Sequence, residues 1–208
     1  MTAFVARSRV AAALLGSLGA LALPTSAVAA EQELRAPAEL ASIADETERS
    51  VALYREMHKV LTHPRCMNCH PKDDHPRQGE DMAMHQPPVQ RGAGGLGLPG
   101  MRCSTCHGEA NVAYVASEGS MPGHQPWQLA PLSMGWIGVS ANEICEQIKD
   151  PARNGGKSLE ALHEHNLHDG LVGWGWEPGE GREPAPGSQA LFGALTRAWI
   201  DTGAHCPT

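Results

Sequence analysis

A chain of 208 residues with 16 basic and 23 acidic side chains, net −7 with histidine neutral, is a poor partner for nucleic acid or an anionic membrane surface, both of which repel it. Only nine residues are aromatic, while glycine and proline together number 39. Side chains alone offset the ordering entropy of so loop-rich a chain with difficulty, and a large apolar group at the centre would supply the missing core.

In chain order, Arg7 and Arg9 precede an almost wholly apolar run from Val10 to Leu23, broken by Pro24 and followed by Ala27-Val28-Ala29-Ala30. The pattern predicts a secretory signal peptide over 1–30, cleaved near Ala29 or Ala30. A retained anchor is the rival, but a run of about 14 residues falls short of the roughly 20 that cross a bilayer. The expected mature domain, 31–208, contains no other segment apolar enough to span and is expected to be soluble, and the signal segment is expected to export it to the periplasm or an equivalent compartment. Cleavage removes Arg7 and Arg9 and no acid, leaving 14 basic against 23 acidic side chains, net −9. That charge suits a basic docking face on a partner protein and serves solubility equally well.

Leu40, Ile43, Val51, Tyr54, Met57 and Leu61 recur at helical spacing and predict a helix over 38–61, stopped by Pro64. From Pro71 to Arg102 the chain is polar and then glycine-rich, a loop long enough to wrap a ligand. A short helix is expected after His107 to about Ala116, then an irregular stretch through Pro131. Ser140-Ala-Asn-Glu143 reads as a capping box opening a helix that Pro151 ends. Asn154-Gly155-Gly156 is a turn, and Ser158 caps a helix through His168. After a loop from Leu171 to Pro186, Ser188 to Thr202 is amphipathic, with Leu191, Leu195 and Trp199 on one face and Gly203 as its stop. No strand pattern persists beyond a few residues. The expected fold class is mainly α with long irregular loops.

Chemistry concentrates in Cys66-Met67-Asn68-Cys69-His70 and Cys103-Ser104-Thr105-Cys106-His107. On one helical turn, residues three apart face the same way, so two thiols can add to the two vinyl groups of a haem. The histidine after the second cysteine then points at the iron. A four-cysteine zinc site leaves both histidines unexplained. A thioredoxin-like redox motif requires an alternating strand and helix pattern that is not present. Two haem c groups, attached through Cys66, Cys69, Cys103 and Cys106 with His70 and His107 as proximal ligands, are therefore the expected cofactors, in a single cytochrome c-like unit. The motifs stand 37 residues apart, but their flanks do not repeat. Cys145 and Cys206 remain, and in an oxidising compartment they are expected to pair as a disulfide.

The distal ligands decide between electron transfer and chemistry at an open iron. Candidates are His63, Met82, Met84, His85, Met121, His124, Met134, His163, His165 and His168. His63 is too close to its own motif to reach the far side of that haem. His85, in the loop after the first motif, is expected to serve the first haem. Met134, in Leu132-Ser-Met-Gly-Trp136, is expected to serve the second, with His165 as its rival. Trp127, Trp136, Trp174, Trp176 and Trp199 are expected around the porphyrins or in the plain core.

The stretches His63-Pro-Arg-Cys-Met-Asn-Cys-His-Pro71, Val89-Gln-Arg-Gly92, Arg102-Cys-Ser-Thr-Cys-His-Gly108, Trp127-Gln-Leu-Ala-Pro131, Ile148-Lys-Asp-Pro-Ala-Arg-Asn-Gly-Gly156 and Leu171-Val-Gly-Trp-Gly-Trp176 together resemble a bacterial family of dihaem c-type cytochromes labelled "isoquinoline 1-oxidoreductase subunit". They run through essentially the whole mature chain. The resemblance implies an electron-transfer subunit beside a molybdenum hydroxylase, passing electrons towards the respiratory chain. No stretch of the chain reads as a site for molybdopterin or an aromatic heterocycle. The expectation is thus an exported dihaem electron carrier with a redox protein partner. The alternative is a small dihaem enzyme or sensor, peroxidase-like, with one open iron, although no acid–base residue set accompanies it.

Overall fold

The computed structural model describes residues 33–208; the expected signal segment, 1–30, lies outside them. Of the described residues 39% are helical and 7% lie in strands, so helices carry the packing and a few short sheets are added to them. In chain order the helices are α1 (Pro37–Leu40), α2 (Glu46–Leu61), α3 (Pro64–Met67), α4 (Ala141–Lys149), α5 (Leu159–His168), α6 (Gly170–Gly173) and α7 (Gln189–Asp201).

Local chemistry sets their bounds. The continuous helix expected over 38–61 is interrupted because the Asp45 carboxylate accepts from Glu48 N at 2.8 Å and caps a fresh start. Pro64 opens α3 as its first residue, where its missing N–H costs nothing. Ser140, Ser158 and Ser188 cap α4, α5 and α7 through their hydroxyls. Gly203, with φ +89°, ends α7 in the left-handed region.

Helix α7 packs against both α2 and α5, and α2 also meets α4. Leu53, Tyr54, Met57 and Val60 of α2 are buried with Leu195 and Trp199 of α7. Each large apolar side chain so placed contributes roughly 1.5–3 kcal/mol. Tyr54 and Trp199 have their ring centroids 5.9 Å apart. Their polar ends are satisfied: Tyr54 donates to Ala141 O at 2.8 Å and Trp199 Nε1 to His205 O at 3.0 Å. Burial pushes the Tyr54 phenol well above its ordinary range. Cys145 and Cys206 form the expected disulfide, tying α4 to the C-terminal segment across 61 residues.

Between α3 and α4 the chain is carried by three two-residue hairpins: β1 (Arg77–Gln78) with β2 (Ala83–Met84), β3 (Gly97–Leu98) with β4 (Met101–Arg102), and β5 (Val112–Ala113) with β6 (Ser120–Met121). The last of these replaces the helix expected after His107. Val112, Tyr114 and Val115 favour extended backbone, and Gly119, with φ +100°, reverses the chain. Gly95 (φ +76°) lets this region meet the segment before α4, where Leu129 N donates to Gly95 O at 3.0 Å. A β-carbon at Gly95 would stand 2.5 Å from Leu129 O. Among the described residues no helix is long and apolar enough to cross a membrane.

Candidate functional site

Each CxxCH motif forms one tight helical turn. In the first, Cys69 N donates to Cys66 O at 3.1 Å and His70 N to Met67 O at 3.1 Å. In the second, Cys106 N and His107 N both donate to Cys103 O, at 3.2 and 2.9 Å. The four cysteines form no disulfide with one another. Burial pushes the Cys66 thiol up to about 12 and the Cys69 thiol up to about 11, so neither is held as the reactive thiolate of a redox pair. Among the described residues, no three of the motif cysteines and histidines bring ligand atoms within 4.8 Å of one another, and a tetrahedral zinc site is not assembled.

Two cavities open beside the turns. The larger, about 570 Å³, is lined by Cys103, Cys106, His107 and His85. The smaller, about 230 Å³, is lined by Cys66, Cys69, His70 and His165. Arg65, Cys69, Gln128, Leu129 and Trp174 line both, so the cavities share a wall.

The surroundings of the two motif histidines are built alike. His70 Nδ1 is 2.7 Å from Met134 O, and the ring stacks on Trp136 with centroids 3.4 Å apart. His107 Nδ1 is 2.8 Å from Pro122 O, and the ring stacks on Trp127 at 4.6 Å. A carbonyl can only accept, so each Nδ1 carries the proton and each Nε2 keeps a free lone pair. Burial is the main cause that lowers both imidazoles, His70 to about 3. Each is therefore neutral, the form that ligates a metal.

His85 and His165 repeat the pattern. His85 Nδ1 lies 2.9 Å from Pro87 O, and its ring centroid stands 6.0 Å from that of His107. It is absent from the wall around His70, so it stands with the second motif and not the first. His165 Nδ1 lies 3.3 Å from Asp169 Oδ2, and a charge on His165 would depress His70 further. It therefore stands with the first motif. Met134, expected at the second haem, stands behind His70, where its main-chain carbonyl is the acceptor described above; it lines the smaller cavity only.

The other candidates have other partners. His63 Nδ1 accepts from Arg65 N at 3.3 Å, capping α3. His163 meets Arg197 at 3.1 Å, and in its cluster with Glu160 and Glu164 that guanidinium pairs with Glu160. His168 is exposed beside Glu164. Met84 is exposed, Met82 packs on the core, Met121 lines the larger cavity and His124 the smaller. Trp174 lies in the shared wall, while Trp176 (against Phe192) and Trp199 belong to the core.

Several residues of the site were not singled out as site residues from the sequence. Arg91, buried, donates to Pro71 O at 3.3 Å, to Asp73 O at 3.1 Å and to Ala130 O, so it clasps the loop after His70 to the segment before Met134. Arg65, Asp169 and Arg182 have no spacing that marks them as site residues, and only the fold brings them to the cavities.

These residues fit haem. The larger cavity falls within the roughly 300–1,000 Å³ usual for ligand sites. The smaller is tight and requires its wall side chains to part. Two thiols and a neutral imidazole stand at each, and Arg65 Nε, Arg91 Nε and Trp136 Nε1 are buried donors without a hydrogen-bond partner. Comparison with protein families, curated proteins and solved structures finds no match.

Proposed function

We propose that this chain is an exported dihaem electron carrier of cytochrome c type. In this reading Cys66 and Cys69 hold one haem c and Cys103 and Cys106 the other. His70 with His165 and His107 with His85 supply the axial ligands, all imidazole. One observation carries the reading: four histidines are paired across two cavities, each with Nδ1 engaged by an acceptor and Nε2 left free. A haem so held supplies reversible one-electron exchange at its iron.

The protein's contribution is positional. The carbonyls of Met134, Pro122 and Pro87 and the Asp169 carboxylate fix ring orientation and tautomer, which raises ligand basicity. The stacked Trp136 and Trp127 exclude water from the outer faces of the motif histidines. With two imidazoles available to each iron no position would remain for substrate, which favours a carrier over the peroxidase-like alternative. The shared wall supports exchange between the two centres. The Cys145–Cys206 disulfide supports an oxidising compartment. The electron donor is a dehydrogenase or, as the resemblance implies, a molybdenum hydroxylase, and the acceptor a respiratory-chain component.

The test is a pyridine haemochrome count with visible and near-infrared spectra of protein exported by a host with cytochrome c maturation. Two haems per chain are expected, both low-spin and without the methionine-to-iron charge-transfer band. That band would return Met134 or another thioether to the ligand set. A high-spin component sensitive to carbon monoxide would put the open-iron enzyme first.

A further inference from the structure

Arg65 is the cation of the shared wall, and its side chain is 2% exposed. It lines both cavities. Its Nε has no hydrogen-bond partner. Glu80 Oε1 lies 2.6 Å from Nη2 as an ion pair, out of line with an N–H, and the Glu80 side chain is 48% exposed. A buried guanidinium left with one half-solvated counter-charge and an idle donor is costly unless an anion reaches it.

A second cation sharpens the point. Arg182 lines the larger cavity and is held by Ser120 Oγ at 2.8 Å and Pro178 O at 3.0 Å. Burial lowers its affinity for the proton, and the positive charge of Arg65 lowers it again. Arg65 in the shared wall and Arg182 in the larger cavity thus influence one another, with Glu80 as a carboxylate near both. Among the residues that line both cavities, where the edges of two macrocycles would meet, Arg65 carries the positive charge. Haem brings carboxylates on flexible arms, and a planar fork matches a carboxylate with two parallel hydrogen bonds.

We propose that Arg65 is a shared carboxylate clamp, taking a propionate from the group in each cavity and thereby raising both reduction potentials together. This rests on the haem reading above. A positive charge beside an iron porphyrin favours the reduced state, which carries one positive charge fewer. Removing it exposes propionate charge and favours the oxidised state. Arg182, lining the larger cavity alone, acts on one centre only.

The test is a spectroelectrochemical titration of the exported holoprotein, fitted as two one-electron components, with haem counted separately. Arg65→Gln is expected to shift both components to lower potential at two haems per chain. Arg182→Gln is expected to shift one. Arg65→Lys, which keeps the charge, is expected to restore most of the shift. Should Arg65→Gln fail to mature, Glu80→Gln decides: relieving the guanidinium of its surface partner is expected to raise both components. Movement of a single component, or of neither, with two haems present overturns the proposal. Absence of haem from the wild-type chain would instead overturn the haem reading itself.

Discussion

Behind His70 the wall is helical. Leu61 of α2, Ile148 of α4, Leu162 of α5 and Phe192 of α7 close the smaller cavity, and these side chains are nearly inaccessible. Behind His107 the wall is loop and hairpin. Met101, Tyr114 and Met121 border the larger cavity, while Val112 and Val115 beside them are largely exposed. The same constellation of two thiols, a carbonyl-bound histidine and a stacked tryptophan is thus mounted on two unlike supports. The chemistry demands only a tight turn, an acceptor and an aromatic plate, and either kind of support can present them. What differs is where the stabilising burial comes from. The helical region has a core of its own, whereas the hairpin region, rich in glycine and poor in buried apolar side chains, relies on what fills its cavity.

The largest expected effect breaks the two apart. Cys103→Ala with Cys106→Ala is expected to leave one haem per chain and to open residues 72–126 to protease while the helical core stays resistant. Cys66→Ala with Cys69→Ala is expected to lower global stability by about 3–5 kcal/mol, the scale of deleting a large core group. Limited proteolysis with mass mapping, beside thermal unfolding followed by circular dichroism, checks both. Equal protection of 72–126 in the two variants would mean that the hairpin region stands unaided.

Next in size is the disulfide, which belongs wholly to the helical region. Cys145→Ala with Cys206→Ala is expected to cost roughly 2–5 kcal/mol. Both haems and their potentials should be retained, because neither cysteine lines a cavity. A denaturant melt and a haem count measure this, and loss of either haem would show that the C-terminal tie reaches the site.

The sequence made the helical region legible because its signals are local and redundant: serine caps before α4, α5 and α7, and apolar stripes on α2 and α7. It made the two CxxCH turns legible because spacing and chemistry sit within five residues. The ligand pairing was harder to read. His85 follows the first motif in sequence yet stands across from His107, and His165 reaches His70 from almost a hundred residues away. Only the burial of α5 against α7 sets that approach. The hairpins escaped because a two-residue strand is below any period. Arg65 and Asp169 are invisible as site residues for the same reason: one buried cation and one helix cap look ordinary until the cavities are drawn around them.

Asp169 sharpens the comparison between the two irons. The first iron is proposed to have a carboxylate behind its distal histidine, while both histidines of the second bind neutral carbonyls. Asp169 Oδ1 also caps α6, accepting from Leu171 N at 2.9 Å and Val172 N at 3.0 Å. Asn caps almost as well as Asp, so Asp169→Asn removes the charge and keeps the turn. A carboxylate acceptor makes His165 a stronger donor and favours ferric iron. The substitution is therefore expected to raise the first component by tens of millivolts and leave the second in place, given that about 59 mV is a tenfold change for one electron. A redox titration reads it, and an equal rise in both components would mean that Asp169 acts as a general charge rather than through His165.

The smallest expected effect lies in the hairpin region and concerns pH. Asp73 Oδ2 accepts from Arg77 Nη2 at 2.7 Å, and that hydrogen bond holds the Asp73 carboxyl below its ordinary range. A carboxyl depressed in the folded state stabilises it above the unfolded value near 3.8. That contribution fades as pH falls through the folded value. The Asp73 side chain is half-exposed, so the pair is worth well under about 1 kcal/mol and is screened by salt. Asp73→Asn is expected to flatten slightly the acid limb of stability against pH, and only at low ionic strength. Amide hydrogen exchange at Arg77–Met84 is the probe, because a loss confined there would mark a region held by exposed polar contacts. A loss spread into α2 and α7 would mean instead that the hairpins and the helical core unfold as one unit.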